Sequence, residues 1–342
     1  MHSTTWVQES DVSMTTKKRA KRISYVYKTR LGRMYVGKSE DVLESYPVIL
    51  RKGQVQLLFT SPPFALNCKK KYGNLQGKEY VDWLASHARI FREYVSDNGS
   101  IVVELGNGWE PGEPTMSTLT IEALLEFKKT ADLHLCQEFV CFNPARLPTP
   151  AQWVTVNRIR VKDAFTRVWW MSPSTRPKAD NRRVLTQYSD SMRKLLERGT
   201  YNSGKRPSEH VIGTRSFLSN NGGAIPPNVL ISPAADFAEA LLESYGTQTN
   251  LLCISNTGAS DPYQEFCRLH EITPHPARMP AKLVEFFIRF LTDTDDLVLD
   301  PFAGTNTTGF VAESLGRRWL SIEIKSDYAA ASRSRFPKSK QL

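Results

Sequence analysis

Apolar residues fall in short blocks along the chain, and the period within each block predicts its element. Val55–Phe59 (VQLLF) is a mostly apolar run of strand length that ends at TSPPF, where two prolines halt sheet and helix alike. Helical spacing follows from Tyr80 to Val95, and then SIVVELG (Ser100–Gly106), a continuous apolar strand closed by glycine. A further strand-like run, V-W-W-M, assigns Trp169 and Trp170 to the core. The last quarter repeats the alternation, with a helix from about Pro280 to Thr292, a strand DLVLD (Asp296–Asp300), a glycine loop, a helix to Leu315 and a strand WLSIEI (Trp319–Ile324). This order predicts an α/β fold around a mostly parallel sheet.

The remaining segments lack such periods. Residues 1–33 are polar and then basic, which predicts a flexible arm. From about Arg146 to Arg215 prolines, serines and arginines crowd together with few acids between them, as in an inserted basic module. Residues 219–262 are rich in Asn, Gly, Ser and Pro around a helical piece, DFAEALLES, and read as a long surface excursion. The expected organisation is an arm (1–33), a first α/β half carrying TSPPF (34–172), a basic region with the excursion (173–262), a second half of the same α/β domain (263–333) and a tail (334–342).

Composition narrows the classes. With 342 residues the chain buries a sizeable core without staples, and its five cysteines (Cys68, Cys136, Cys141, Cys253, Cys267) form no C-x-x-C pair, so neither a disulfide framework nor a metal site is expected. No apolar window approaches the ~20 residues that cross a bilayer, and no secretion signal opens the chain, so a soluble cytoplasmic protein without a membrane partner is expected. A net charge of +10 favours a polyanionic partner.

Two loops carry candidate chemistry. DPFAGTNTTGFVAESLG (Asp300–Gly316) follows a buried strand and opens a helix, the place where a doubly wound sheet binds ligands. Gly304 permits close backbone approach, Gly309 tight packing of the first helical turn, and Thr305, Asn306 and Thr307 offer polar groups to a cofactor tail. The next strand ends in Glu323, an acid placed to accept two ribose hydroxyls, so the pair points to an adenosine-bearing cofactor. Neither G-x-G-x-x-G nor G-K-[ST] is present, which argues against a nicotinamide or a nucleoside triphosphate.

The second loop, T-S-P-P-F (Thr60–Phe64), suits methylation of an exocyclic amino group. Such a nitrogen is a poor nucleophile because its lone pair is delocalised into the ring. A side-chain oxygen (Ser61) and a proline-fixed carbonyl (Pro62) accepting from the NH₂ localise that pair, and Pro63 fixes the turn. Phe64 is placed to stack on a base taken out of the duplex. Alone, S-P-P-F also reads as a polyproline turn with a core phenylalanine.

TSPPF early and DPFAGTNTTG late together resemble the β-class DNA amino-methyltransferases, in which the catalytic motif precedes the cofactor motif. TSPPFALNCKKKYGNLQGKEYVDWL, RIRVKDAFTRVWWMS and HPARMPAKLVEFFIRFLT extend the resemblance over most of residues 34–333. It implies a Rossmann-like methyltransferase fold, its sheet mostly parallel with one antiparallel strand, S-adenosylmethionine as cofactor, double-stranded DNA as partner, and an inserted target-recognition region. It places Ser61, Pro62, Pro63 and Phe64 at the target amino group, Phe302, Gly304 and Thr305 at the cofactor, and His275, Pro276, Ala277 and Lys282 over its methionine portion. His275 also reads as a helix-entry histidine satisfied by backbone. Where the family usually carries an acid after Tyr35-Val36-Gly37, this chain has Lys38.

The same resemblance assigns DNA contacts to the arginines of the basic stretch, Arg176, Arg182, Arg183, Arg206 and Arg215, and extends to a homodimer and a cognate restriction endonuclease. Use at the bacterial nucleoid follows from such a substrate. Ser before the prolines leans to cytosine N4, with adenine N6 open, while cytosine C5 chemistry needs a Pro-Cys nucleophile that the chain lacks. A catalytically silent DNA-binding regulator is the alternative of another class.

Overall fold

The computed structural model describes residues 25–44, 50–64, 75–143, 146–231, 252–253, 261–275 and 277–336, with backbone alone at Ile231, Leu252 and Cys253. Among them ten strands share one sheet: β1 (Tyr25–Lys28), β2 (Gly32–Val36), β3 (Val55–Thr60), β4 (Val95–Gly106), β5 (His134–Phe142), β6 (Phe165–Ser172), β7 (Val229–Ile231), β8 (Leu252–Cys253), β9 (Leu297–Asp300) and β10 (Arg318–Glu323). Their spatial order is β1-β2-β10-β9-β3-β4-β6-β5-β7-β8. The five strands from β2 to β4 are parallel, as are β5, β7 and β8. Strand β6 is antiparallel to both neighbours, and β1 is antiparallel to β2. The sheet is therefore mostly parallel with two antiparallel strands where the family resemblance implies one.

The helices are α1 (Ser39–Glu44), α2 (Gly77–Tyr94), α3 (Leu119–Thr130), α4 (Asp190–Arg198), α5 (Pro262–Leu269), α6 (Ala281–Leu291), α7 (Thr307–Ser314) and α8 (Ser326–Ala331). Residues three or four apart on α2 (Tyr80, Leu84, Ala88, Phe91) pack on one face of the sheet with Leu58, Ile101 and Val103. The other face carries Leu283, Val284, Phe287 and Leu291 of α6 against Leu57, Phe59 and Val102. Adjacent residues of β3 thus serve opposite cores, which is why its pattern runs apolar without alternation. Phe287 meets Phe59 at 5.6 Å between ring centroids, and truncating a buried ring of this kind to alanine costs about 3–5 kcal/mol.

Two boundaries differ from the pattern's expectation. Tyr25–Lys28 is an edge strand rather than arm, because Tyr27 is buried and its hydroxyl meets Ser332 at 2.7 Å. The basic region is not a separate body either: Val184 is buried among core residues, Lys178 and Asp180 donate their amides to the carbonyls of Asn98 and Phe290 (both 2.9 Å), and β7 and β8 widen the sheet beyond β5. Residues 1–24 and the helical piece at 236–244 lie outside the described residues.

Candidate active site

Because β2, β10, β9, β3 and β4 are parallel, their carboxyl ends share one edge of the sheet. The loops Ser61–Phe64 and Pro301–Asn306 leave neighbouring strands there, joined at the root by Thr60 Oγ1 donating to Asp300 Oδ1 at 2.9 Å. A cavity of about 890 Å³ opens at this edge and has two halves. One is lined by Phe302, Gly304, Thr305, Thr307, Glu323 and His275, the other by Ser61–Phe64, Glu104, Cys141, Asn143, Arg146 and Thr166.

In the first half, Asp300 accepts the hydroxyls of Thr60 and Thr308 (2.9 and 2.6 Å) and the Phe302 amide (3.1 Å). Burial is the main cause that pushes its carboxyl up to about 6. Gly304 has φ +50°, a conformation that suits glycine, and its amide donates to Glu323 Oε2 at 2.8 Å. Glu323 Oε1 accepts the Lys325 amide, also at 2.8 Å, and the carboxylate takes the Ile324 amide as well, which still leaves it accepting capacity for a ligand hydroxyl. Burial raises the Glu323 pKa as well.

Asn306 does not line the cavity. At φ +53° it caps α7, its Oδ1 accepting the Gly309 amide (3.1 Å) and the Ser321 hydroxyl (2.6 Å), while its amide donates to Tyr27 OH (2.8 Å). A Cβ at Gly309 would lie 2.3 Å from Asn306 Oδ1, so glycine is required there. Thr305 is held from behind by Arg335, which donates to its carbonyl (2.7 Å) and hydroxyl (3.1 Å) and pairs with Asp261. The Thr307 hydroxyl lies 3.4 Å from that of Thr305.

His275 and Ala277 line the cavity beside Gly304, and His275 packs edge-on against Tyr328. Burial lowers its pKa and keeps the imidazole neutral at neutral pH. Pro276 lies outside the described residues. Lys282 is not brought to the site: its side chain is 61 % exposed and pairs with Glu285 at 3.0 Å. Lys38 lines the cavity, as does the acid two residues later, Glu40, which meets His87 at 3.3 Å.

This half fits an adenosyl cofactor by its own chemistry. It joins a buried carboxylate with spare lone pairs, a backbone turn free of Cβ at Gly304, and the aromatic ring of Phe302 packed against Trp83 and His87. The Tyr80 hydroxyl, buried at the same cavity, has no hydrogen-bond partner among the described residues, a vacancy that a polar ligand group satisfies.

In the second half, Ser61 hydrogen-bonds Glu104, which also accepts the Thr166 hydroxyl at 2.8 Å. Glu104 is buried, and desolvation raises its pKa. Phe64 packs on the backbone of Gly106, where a Cβ would lie 2.7 Å from its ring. Cys141 also lines this half, but burial pushes its thiol up to about 12, so no thiolate is available for attack on a ring carbon. Sequence reasoning missed Glu104, Thr166, Asn143 and Arg146. Glu104 left a signal, a carboxylate inside the apolar run SIVVELG.

The predicted DNA-contacting arginines lie elsewhere. Antiparallel β6 delivers the chain after Ser172 to the sheet edge opposite the cavity, and Lys178 there bridges Asp293 and Asp296 just before β9. Arg183 donates to the Thr292 carbonyl (2.8 Å) and pairs with Asp293 (2.6 Å); Arg182 pairs with Asp180 (2.8 Å); Arg176 is exposed on the same segment. These three are not brought to the cavity, because acids at the turn into β9 hold the segment down. Arg206 and Arg215 sit on an outlying segment, Arg206 donating to the Asn202 carbonyl at 2.6 Å. Among the described residues no helix is long and apolar enough to cross a membrane, and no His, Cys, Asp or Glu cluster is arranged to hold a metal.

Comparison with known proteins agrees with this geometry. Residues 55–334 match the N6_N4_Mtase family model, described as DNA methylase. The chain is 44 % identical over 312 residues to the type II methyltransferase M.PvuII of Proteus hauseri, covering 91 % of this chain and 85 % of the relative. It superposes on the solved structure of the PvuII DNA methyltransferase, titled cytosine-N4-specific, with a TM-score of 0.69 and 36 % identity over 94 % of this chain and 92 % of that one. A shorter match, 43 % over 60 residues, covers 18 % of this chain and 20 % of the DNA adenine methyltransferase YhdJ of Escherichia coli. With the catalytic loop preceding the cofactor loop on one methyltransferase sheet, the chain belongs to the N6/N4 family of S-adenosylmethionine-dependent DNA methylases.

Proposed function

We propose that this DNA methyltransferase modifies the N4 amino group of a cytosine taken out of double-stranded DNA. The observation that carries the reading is the Ser61–Glu104 pair in the target half of a cavity shared with the cofactor half. Ionised Glu104 accepts the Ser61 hydroxyl hydrogen, which leaves the Oγ lone pairs to accept from the substrate NH₂ alongside the Pro62 carbonyl. Held by these acceptors, the amino nitrogen keeps its lone pair localised. Glu104, its pKa raised by burial, is also the acceptor for the proton the amino group gives up through Ser61 Oγ. Bound S-adenosylmethionine supplies an electrophilic methyl group on a sulfonium. Phe64, wedged on Gly106, offers a face on which the base stacks.

The choice of cytosine rests on Ser61 and on similarity to a relative titled cytosine-N4-specific; the short match to an adenine methyltransferase supports N6 as the second reading. The relative's name as a type II methyltransferase supports pairing with a restriction endonuclease, and a homodimer rests on the family resemblance alone. Incubation with S-adenosylmethionine and unmethylated bacterial DNA, followed by digestion to nucleosides and mass spectrometry, tests the base. N4-methylcytosine is the expected product, and N6-methyladenine would overturn the assignment.

A further inference from the structure

The loop between β5 and β6 leaves the sheet at the edge that carries the cavity. Its two feet are pinned together: Arg146, which lines the cavity, donates to Asp163 Oδ2 (3.2 Å) and to the Phe165 carbonyl (3.0 Å), and Asn107 donates to Asp163 Oδ1 (2.8 Å). Between the feet the loop keeps a shape of its own. Gln152–Val156 forms one π-helical turn, Ile159 donates its amide to the Trp153 carbonyl at 3.0 Å, and the Arg160 guanidinium lies 4.2 Å over the Trp109 ring. Arg158 sits at φ +56°, a left-handed conformation that a non-glycine residue holds only when its surroundings impose it.

The tip of this loop alternates cation and apolar residue, Arg158-Ile159-Arg160-Val161-Lys162, and no acid occurs from residue 146 to 162. Val156, Ile159 and Val161 are 67, 58 and 86 % exposed. Single exposed apolar residues are ordinary, but three within six positions, interleaved with cations on a loop rooted at a catalytic cavity, are not. We propose that this tip is the wedge that enters duplex DNA, Ile159 and Val161 filling the gap left by the extruded base while Arg158 holds a flanking phosphate. A duplex offers both chemistries at once: stacked bases that open to apolar side chains, and phosphates on either side. An apolar protein partner would leave Arg158 unanswered. The inference deepens the methyltransferase reading and rests on the base being flipped.

The test uses two duplex oligonucleotides carrying the site at which the wild-type enzyme methylates DNA, one fully paired and one with an abasic position opposite the target base. In the second DNA the target base has no pairing partner to leave, so its extrusion needs no wedge. For the double variant I159S/V161S, kcat/KM on the paired duplex is expected to fall about tenfold and to stay within roughly threefold of wild type on the abasic duplex. Affinity for S-adenosylmethionine, measured by calorimetry, should not change. Arg158→Ala should weaken binding to both DNAs and reduce the salt dependence by about one phosphate contact. Equal loss on both duplexes, or no loss on either, would overturn the wedge. So would light scattering that shows a wild-type dimer and a monomeric I159S/V161S, which would make the tip a contact between copies. Wild-type enzyme that methylates no unmethylated bacterial DNA, so that no such site is found, would overturn the methyltransferase reading itself, and the wedge with it.

Discussion

Two loops leave β3 and β9 side by side and are anchored very differently. From Asp300 to Asn306 the polar groups are committed within the fold: Asp300 to three donors, Gly304 to Glu323, Thr305 to Arg335, and Asn306 to Gly309, Ser321 and Tyr27. From Ser61 to Phe64 the described ties are few, Ser61 with Glu104 and Phe64 against Gly106. The first loop is a cradle finished before its ligand arrives, and damage to it should appear as lost stability. The second keeps acceptors in reserve for a substrate, so damage to it should appear as lost turnover.

The largest expected effect is in the cradle. Asn306→Ala strands three buried partners and forces alanine to φ +53°, which should lower unfolding stability by about 3 kcal/mol in urea titration. Unchanged stability would mean that the cradle is not built on that cap.

Next comes a pH effect. The folded chain holds the Asp300 proton more tightly than the unfolded one, so between the ordinary value of 3.8 and about 6 the native state binds more protons. This contribution to stability is present below pH 3.8 and is lost as pH rises through about 6. Wild type should therefore lose roughly 2–3 kcal/mol relative to Asp300→Asn between about pH 4 and pH 7, as read from urea titrations of both proteins at each pH.

The target half predicts a smaller change of another kind. Glu104→Gln should lower kcat about tenfold with S-adenosylmethionine affinity intact. Its pH profile should lose the acid limb on which wild-type Glu104 becomes protonated, and steady-state rates across pH check this. At the opposite edge of the sheet, Arg183→Ala should cost about 1 kcal/mol of stability and leave DNA affinity unchanged. Arg176→Ala should stay within about 0.5 kcal/mol in both melting and DNA titration.

Much of the cradle was legible in sequence because its chemistry is local: strand, glycine turn and helix start lie within Asp300–Gly309, and Glu323 closes the next strand. The serine loop was legible for the same reason. Glu104 was not assigned, since only the pairing of β3 with β4 brings a mid-strand carboxylate to Ser61. Charge along a sequence does not report which sheet edge it reaches. Antiparallel β6 carries Arg176–Arg183 away from the cavity, while the shorter loop before it, with Arg158 and Arg160, is rooted at the cavity through Arg146. Tyr25–Lys28 was hidden by its basic neighbours: its ladder partner β2 is close in sequence, but the Tyr27–Ser332 bond that ties it to the fold spans 305 positions.

The account turns on the division of labour between the two loops, and calorimetry with S-adenosylmethionine beside single-turnover methylation, on Ser61→Ala and Gly304→Val, tests it most directly. Ser61→Ala should bind S-adenosylmethionine within about threefold of wild type and transfer methyl about a hundredfold more slowly, while Gly304→Val should fail to bind it at all. Ser61→Ala losing cofactor affinity while Gly304→Val keeps it would contradict the assignment of both loops.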